Sequence, residues 1–210
     1  GIGLLRLRPG GRGAVRSGSL RLAAWQPHAR AVRAPEPMHD WLVTPGSLTA
    51  RLVASSDAFR VRRLHQRSAT CLADEAQAIG LARPQRAWER EVLLECDGEP
   101  VVFAHTVVPM DCDATDWPLF SALGERSLGT TLFYDPLVRR GQLEFARLSA
   151  DHPLVRRAHA ALGGQGATDT TIYYARRCVY RRRQGLLLVT EVFLPAVLTL
   201  GAAATMKNIT

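Results

Sequence analysis

Apolar and polar residues alternate with a period of two along much of this chain, and such alternation predicts half-buried strands. Phe59 to Arg67 alternates with basic residues, and Ala87 to Cys96 and Pro100 to Val108 form a second and a third stretch. Asp97-Gly98 between these two is a hairpin turn pair, extended to Glu99 if Pro100 cannot join the ladder. Leu143 to Leu148, Thr171 to Arg182 and Leu186 to Leu194 complete the predicted strands, with Gln184-Gly185 turning the last pair. Helical segments lie between these. Ser47, after Pro45-Gly46, is an N-cap signal for a helix from Leu48 through about Ala54. Leu72 to Gly80 reads as a short acidic helix, Pro118 to Leu123 opens another before Ser127-Leu128-Gly129, and Thr130 to Phe133 restarts one. A Gly-rich loop, Gly163-Gly164-Gln165-Gly166, separates two of the strands. Strands on tight turns with helices in separate blocks predict an α+β fold, an antiparallel sheet with helices packed to one side.

Two positions break the alternation. Glu191 shares a strand face with Leu187, Val189 and Phe193, and Arg90 shares one with Trp88, Val92 and Leu94. An acid or a cation on an apolar face costs several kcal/mol, roughly the cost of unanswered polar burial. A small anionic ligand between them explains both, and so does a buried ion pair joining the two strands. Other candidates are weaker. Arg176 and Arg177 are adjacent and point to opposite faces, and a solvated edge is expected for at least one. Arg139-Arg140 is expected at the surface, His105 in the core or at its rim, and His152-Pro153 in a loop. Cys96 and Cys178 are expected to pack as small hydrophobes. Ser127 lacks a G-x-S-x-G elbow and is read as a turn or cap.

Composition narrows the function. The 210 residues are 47% hydrophobic and 22% charged, with a net charge of +8. Seven arginines against the single acid Glu36 put +6 of this in residues 1–37 and leave the body near neutral. A polyanionic partner is therefore not indicated. Residues 1–37 have the composition of a disordered basic arm, one that need not belong to the native folded chain, and folding is expected to begin near Met38, the first methionine. Cys71, Cys96, Cys112 and Cys178 have no C-x-x-C spacing, which points to no zinc site and a reduced, cytoplasmic setting. No P-loop or G-x-G-x-x-G follows a strand.

Several motifs in order resemble the chorismate pyruvate-lyase family. These are Trp41-Leu42 to Ser47-Leu48-Thr49, Trp88-Glu89-Arg90-Glu91-Val92-Leu93-Leu94, Asp97-Gly98-Glu99-Pro100 and Thr106-Val107-Val108-Pro109. Ser127-Leu128-Gly129 with Leu132-Phe133, Ala175-Arg176-Arg177, and Leu188-Val189-Thr190-Glu191-Val192-Phe193-Leu194-Pro195-Ala196 follow. The resemblance implies a catalytic domain over residues 38–196, with the arm and a tail at 197–210 unmatched. It implies conversion of chorismate to 4-hydroxybenzoate and pyruvate, the entry step of ubiquinone synthesis, with no cofactor and no metal. By the same resemblance, Arg90 holds the ring carboxylate and Glu191 meets the ring hydroxyl, either orienting the ring or acting as base. Backbone groups at Leu48 and Leu128 complete the substrate site. Leu48 stands where the family often has Met, a change that a backbone contact survives. A cytoplasmic monomer is expected, without nucleic acid or stable membrane insertion. The alternative is a non-catalytic sensor domain binding a small aromatic acid, as in some bacterial transcription regulators. Residues 1–37 are too few and too Gly- and Pro-rich for the winged helix such regulators carry. A lyase-like protein without activity is a third reading, against which the retained Arg90 and Glu191 speak.

Overall fold

The computed structural model describes residues 22–111, 117, 128–164 and 171–200. The expected helix at Pro118–Leu123, Ser127, Cys112 and the Gln165-Gly166 part of the Gly-rich loop lie outside these. Helices α1 (Glu36–Leu42) and α2 (Leu48–Ala54) lead into β1 (Phe59–Thr70), α3 (Ala73–Ala78) and the hairpin β2 (Arg86–Cys96) and β3 (Glu99–Pro109). Then come α4 (Leu128–Tyr134), β4 (Val138–Arg140), β5 (Glu144–Ser149), α5 (Pro153–Ala161), β6 (Ile172–Arg182) and β7 (Gly185–Phe193). The strands form one antiparallel sheet in the order β1-β2-β3-β7-β6-β4, with β5 also paired to β6.

Local chemistry fixes the turns. Asp97 and Gly98 both have positive φ, 53° and 83°, the backbone that a two-residue hairpin needs. Asp97 Oδ1 also accepts from the Asp57 and Ala58 amides at 2.9 and 2.8 Å, tying the turn to the start of β1. Glu99 already pairs with Cys96, and the register slips one step later, between Leu94 and Glu95, where Pro100 enters the ladder. The β6–β7 turn is Arg183-Gln184 rather than Gln184-Gly185, because Arg182 pairs with Gly185 and Arg183 takes the positive φ. Ser47 caps α2 as expected, its Oγ accepting from Ala50 N at 3.1 Å.

Apolar burial assigns the faces. On one face, Met38, Trp41 and Leu42 of α1 and Leu48 and Leu52 of α2 pack with Val61, Val92, Leu94 and Phe193. On this side α4 also brings Leu132 to Val108 and Leu187. On the other, Leu154, Val155 and Ala158 of α5 pack with Leu93, Phe103 and Val192. Ala76 and Ile79 of α3 pack there with Val107 and Leu188. Each fully buried Leu or Phe contributes about 1.5–3 kcal/mol, so the two apolar layers dominate the fold.

Three expectations need correction. His152-Pro153 is not loop but the N-terminus of α5: His152 Nδ1 accepts from Leu154 N at 3.1 Å, and Pro153 takes the first turn, where no N–H is needed. The body does not begin near Met38. Gln26 and Phe145 exchange two backbone hydrogen bonds of 2.7 and 2.8 Å, Trp25 Nε1 donates to Asp74 Oδ2 at 2.9 Å, and Ala29 and Val32 are buried in the core. Nor does packing stop at Ala196, since Val197 and Leu200 are buried in the same layer. A few apolar side chains suffice to anchor residues 22–37 once a sheet edge is available.

Candidate active site

A cavity of about 250 Å³ lies over the sheet face covered by α1, α2 and α4. Leu48, Arg90, Leu128 and Glu191 all line it. The sheet supplies its floor: Arg90 on β2 faces Thr106 on β3, Thr106 faces Val189 on β7, and Glu191 lies one same-face step further along β7. Two strand spacings, roughly 10 Å across β3, and one same-face step, roughly 7 Å along the strand, therefore separate the Arg90 and Glu191 backbones. Leu48 and Leu128 are the first residues of α2 and α4. Amides of a helix's first turn have no acceptor within their own helix, so a backbone N–H is available in principle at each of these helix starts.

Arg90 is only 2% exposed. Its Nη1 donates to Gln66 Oε1 at 3.2 Å. Burial, and then the nearby Arg63 charge, pull its pKa below the ordinary 12.5. A bound anion would reverse that pull. Glu191 Oε1 accepts from Arg176 Nε at 2.9 Å, and Arg176 Nη1 donates to the Leu42 and Thr44 carbonyls at 3.3 and 3.4 Å. Arg176 thus fastens Glu191 to the end of α1. The ion pair that the alternation allowed between strands does form at Glu191, but with Arg176 of the adjacent strand β6.

Neither Arg176 nor Arg177 is a solvated edge, as both are buried. Arg177 points to the other face, where it donates to Glu144 Oε1 at 3.1 Å and stacks on Trp25 at 4.4 Å. Arg140, expected at the surface, is exposed, yet it lines the cavity opposite Tyr180. Burial pushes the Tyr180 hydroxyl well above its ordinary pKa, with Cys178 and Glu191 adding to it. Partial burial opposes the Arg140 charge, but Tyr180, Cys178 and Glu191 outweigh it and raise its pKa. β4 is three residues long. Alternation has too little room there to show that Arg140 faces inward.

The charges flanking Arg90 on β2 lie on the opposite face. His105 is fully buried between Glu75 Oε2 at 2.8 Å and Glu91 Oε2 at 2.7 Å. Burial opposes its charge, but the two carboxylates prevail and raise its pKa to about 10. His105 is thus a core residue paired in charge with two carboxylates. Arg157 Nη1 reaches Glu91 Oε2 at 2.9 Å and Glu89 Oε2 at 3.3 Å. His65, Glu89 and Glu91 bring three ligand-type atoms within 4.8 Å of one another. Arg157 already occupies the cation's role at these carboxylates, so the group reads as an ion network rather than a metal centre.

The chorismate lyase family model matches residues 19–201. The chain belongs to the chorismate lyase family. Family coverage from residue 19 agrees with the packing of Trp25 and Gln26 against the body. A probable chorismate pyruvate-lyase of Ralstonia nicotianae is 53% identical over 157 residues, covering 75% of this chain and 80% of that protein. One of Cupriavidus metallidurans is 48% identical over 181 residues, covering 86% and 84%. Among solved structures, the effector domain of PhnF from Mycobacterium smegmatis aligns with a TM-score of 0.52 at 18% identity, over 73% of this chain and 91% of that one. At that identity it shows that this chain shares its fold with that effector domain, and nothing of function. Among the described residues, no helix is long and apolar enough to cross a membrane.

Proposed function

We propose that this chain is a chorismate pyruvate-lyase that releases pyruvate from chorismate and leaves 4-hydroxybenzoate, feeding ubiquinone synthesis. The observation that carries it is the convergence of Leu48, Arg90, Leu128 and Glu191, which are scattered along the chain of a family member, on one cavity. The ether C–O bond breaks, the ring carbon bearing the hydroxyl loses its hydrogen, and that hydrogen ends on the methylene of the departing enolpyruvyl group. The ring becomes aromatic. Atoms and electrons balance within the substrate, so the reaction calls for no redox partner and no metal.

The protein's part is to hold a dianion in a reactive pose and exclude water. The Arg90 guanidinium matches the planar ring carboxylate as a two-pronged donor. Glu191, held by Arg176, accepts a hydrogen bond from the ring hydroxyl and turns the ring so that the ether and the neighbouring C–H are aligned. First-turn amides at Leu48 and Leu128 close around the ligand. The protein acts as a cytoplasmic monomer, with no nucleic acid partner and no stable membrane insertion.

Purified protein incubated with chorismate, with and without EDTA, tests this. Equimolar 4-hydroxybenzoate and pyruvate, unchanged by the chelator and lost in Arg90→Ala, are expected. No turnover together with tight binding of 4-hydroxybenzoate would replace the lyase with a non-catalytic sensor domain.

A further inference from the structure

Chorismate carries two carboxylates, and Arg90 accounts for one. Among the described residues lining the cavity, the other cations are Arg140 and Arg176. Arg176 has its guanidinium committed to Glu191 and to the Leu42 and Thr44 carbonyls, and it is 2% exposed. Arg177 is on the far face. Position then separates the remaining pair. In the strand order β2-β3-β7-β6-β4, Glu191 on β7 lies two strands from Arg90 on β2 and two strands from Arg140 on β4. Across the sheet that is about 10 Å on either side, and along the strands Arg140 lies level with Leu187, about 13 Å from the level of Glu191, so the two arginines bound the cavity at different heights.

Chorismate has the same order of groups. Its ring carboxylate lies across the ring from the hydroxyl, and the enolpyruvyl ether leaves from the carbon next to that hydroxyl. A ring anchored at Arg90 with its hydroxyl at Glu191 leaves the end of the cavity lined by Arg140 and Tyr180 for the enolpyruvyl arm. We infer, on the footing of the lyase reading above, that Arg140 receives the carboxylate of the enolpyruvyl arm and sets its direction. Tyr180, directly opposite Arg140 on β6, lines the same end of the cavity. Arg139, its neighbour, is displayed on the other face of β4 and belongs to no such arrangement.

This makes Arg140 specific for substrate over product, since 4-hydroxybenzoate has lost the arm. Arg90, by contrast, contacts a group that both molecules keep. The test uses the full chain as wild type, Arg140→Ala, Arg140→Lys and Arg139→Ala, with kcat and KM on chorismate, a calorimetric Kd for 4-hydroxybenzoate, and a calorimetric Kd for chorismate only if the wild type does not turn it over. Arg140→Ala is expected to lower kcat/KM by roughly 10- to 100-fold, the range for losing a charge-assisted hydrogen bond, with 4-hydroxybenzoate affinity essentially unchanged. Arg140→Lys recovers part of the loss, and Arg139→Ala behaves as wild type. Unchanged 4-hydroxybenzoate binding also shows that the variant is folded. Equal weakening of both ligands, or of neither, would overturn the assignment. Should the wild type bind chorismate without turning it over, the lyase reading fails while selective loss of chorismate binding in Arg140→Ala still supports the assignment.

Discussion

Glu89, Arg90 and Glu91 are consecutive on β2 and all but buried, yet they live under different rules because alternate side chains enter opposite faces of the sheet. Behind the sheet, Glu89 and Glu91 meet His105, His65 and Arg157 at 2.7–3.4 Å, and Glu75 answers His105 from α3. In front, Arg90, Glu191, Arg176 and Arg140 stand around a cavity that fits a small molecule. The rear charges satisfy one another, and the front charges surround space. Burial of charge alone does not mark a site; burial of charge beside an apolar-walled cavity does.

The largest effect expected from this contrast is on stability at the rear. His105→Leu leaves Glu75 and Glu91 buried without their shared cation and should cost about 3–5 kcal/mol in urea unfolding, while kcat per folded molecule stays near wild type. A large loss of kcat without loss of stability would move His105 into the chemistry and break the comparison. Its pH dependence sharpens the point. The folded pKa of about 10 lies above the ordinary 6.5, so the His105 contribution is complete below pH 6.5 and disappears as pH rises toward 10. The stability gap between wild type and His105→Leu should therefore narrow over that range, and a constant gap would mean that packing, not charge, is what His105 supplies.

At the front the opposite split is expected. Arg90→Ala should reduce kcat/KM by roughly 100-fold or more, since a buried charge partner of the substrate is removed, while the melting temperature changes little. A collapse of stability as large as that of the His105 variant would make Arg90 part of the scaffold. Glu191→Gln should have the smallest effect, about tenfold in kcat, because the amide oxygen still accepts from the ring hydroxyl. Complete loss of turnover in a folded Glu191→Gln would assign Glu191 the role of base.

Much of this architecture is legible in the order of the residues. Hairpin β2–β3, the Ser47 cap and the odd placement of Arg90 and Glu191 follow from short-range rules, because a strand's alternation and a cap's hydrogen bond involve neighbours in sequence. Helix α5 gives only a weaker sign at its start, Pro153 in the first turn, because its cap is a histidine, outside the usual Ser, Thr, Asp and Asn signal. Composition taken over residues 1–37 misjudges segment 22–37, since the glycines and most of the arginines lie before it, whereas anchoring needs only Trp25, Gln26, Ala29 and Val32.

From its residues alone, then, this chain determines which side chains share a face and where charge violates an apolar pattern. Only the tertiary structure decides that Arg176, not Arg90, pairs with Glu191, that Arg140 turns into the cavity, and that Glu91 and His105 answer each other behind the sheet. The reason is physical: alternation fixes a side chain's face relative to its own strand, but strand order decides which charges from distant segments meet. β3 lies between β2 and β7. No local rule encodes that.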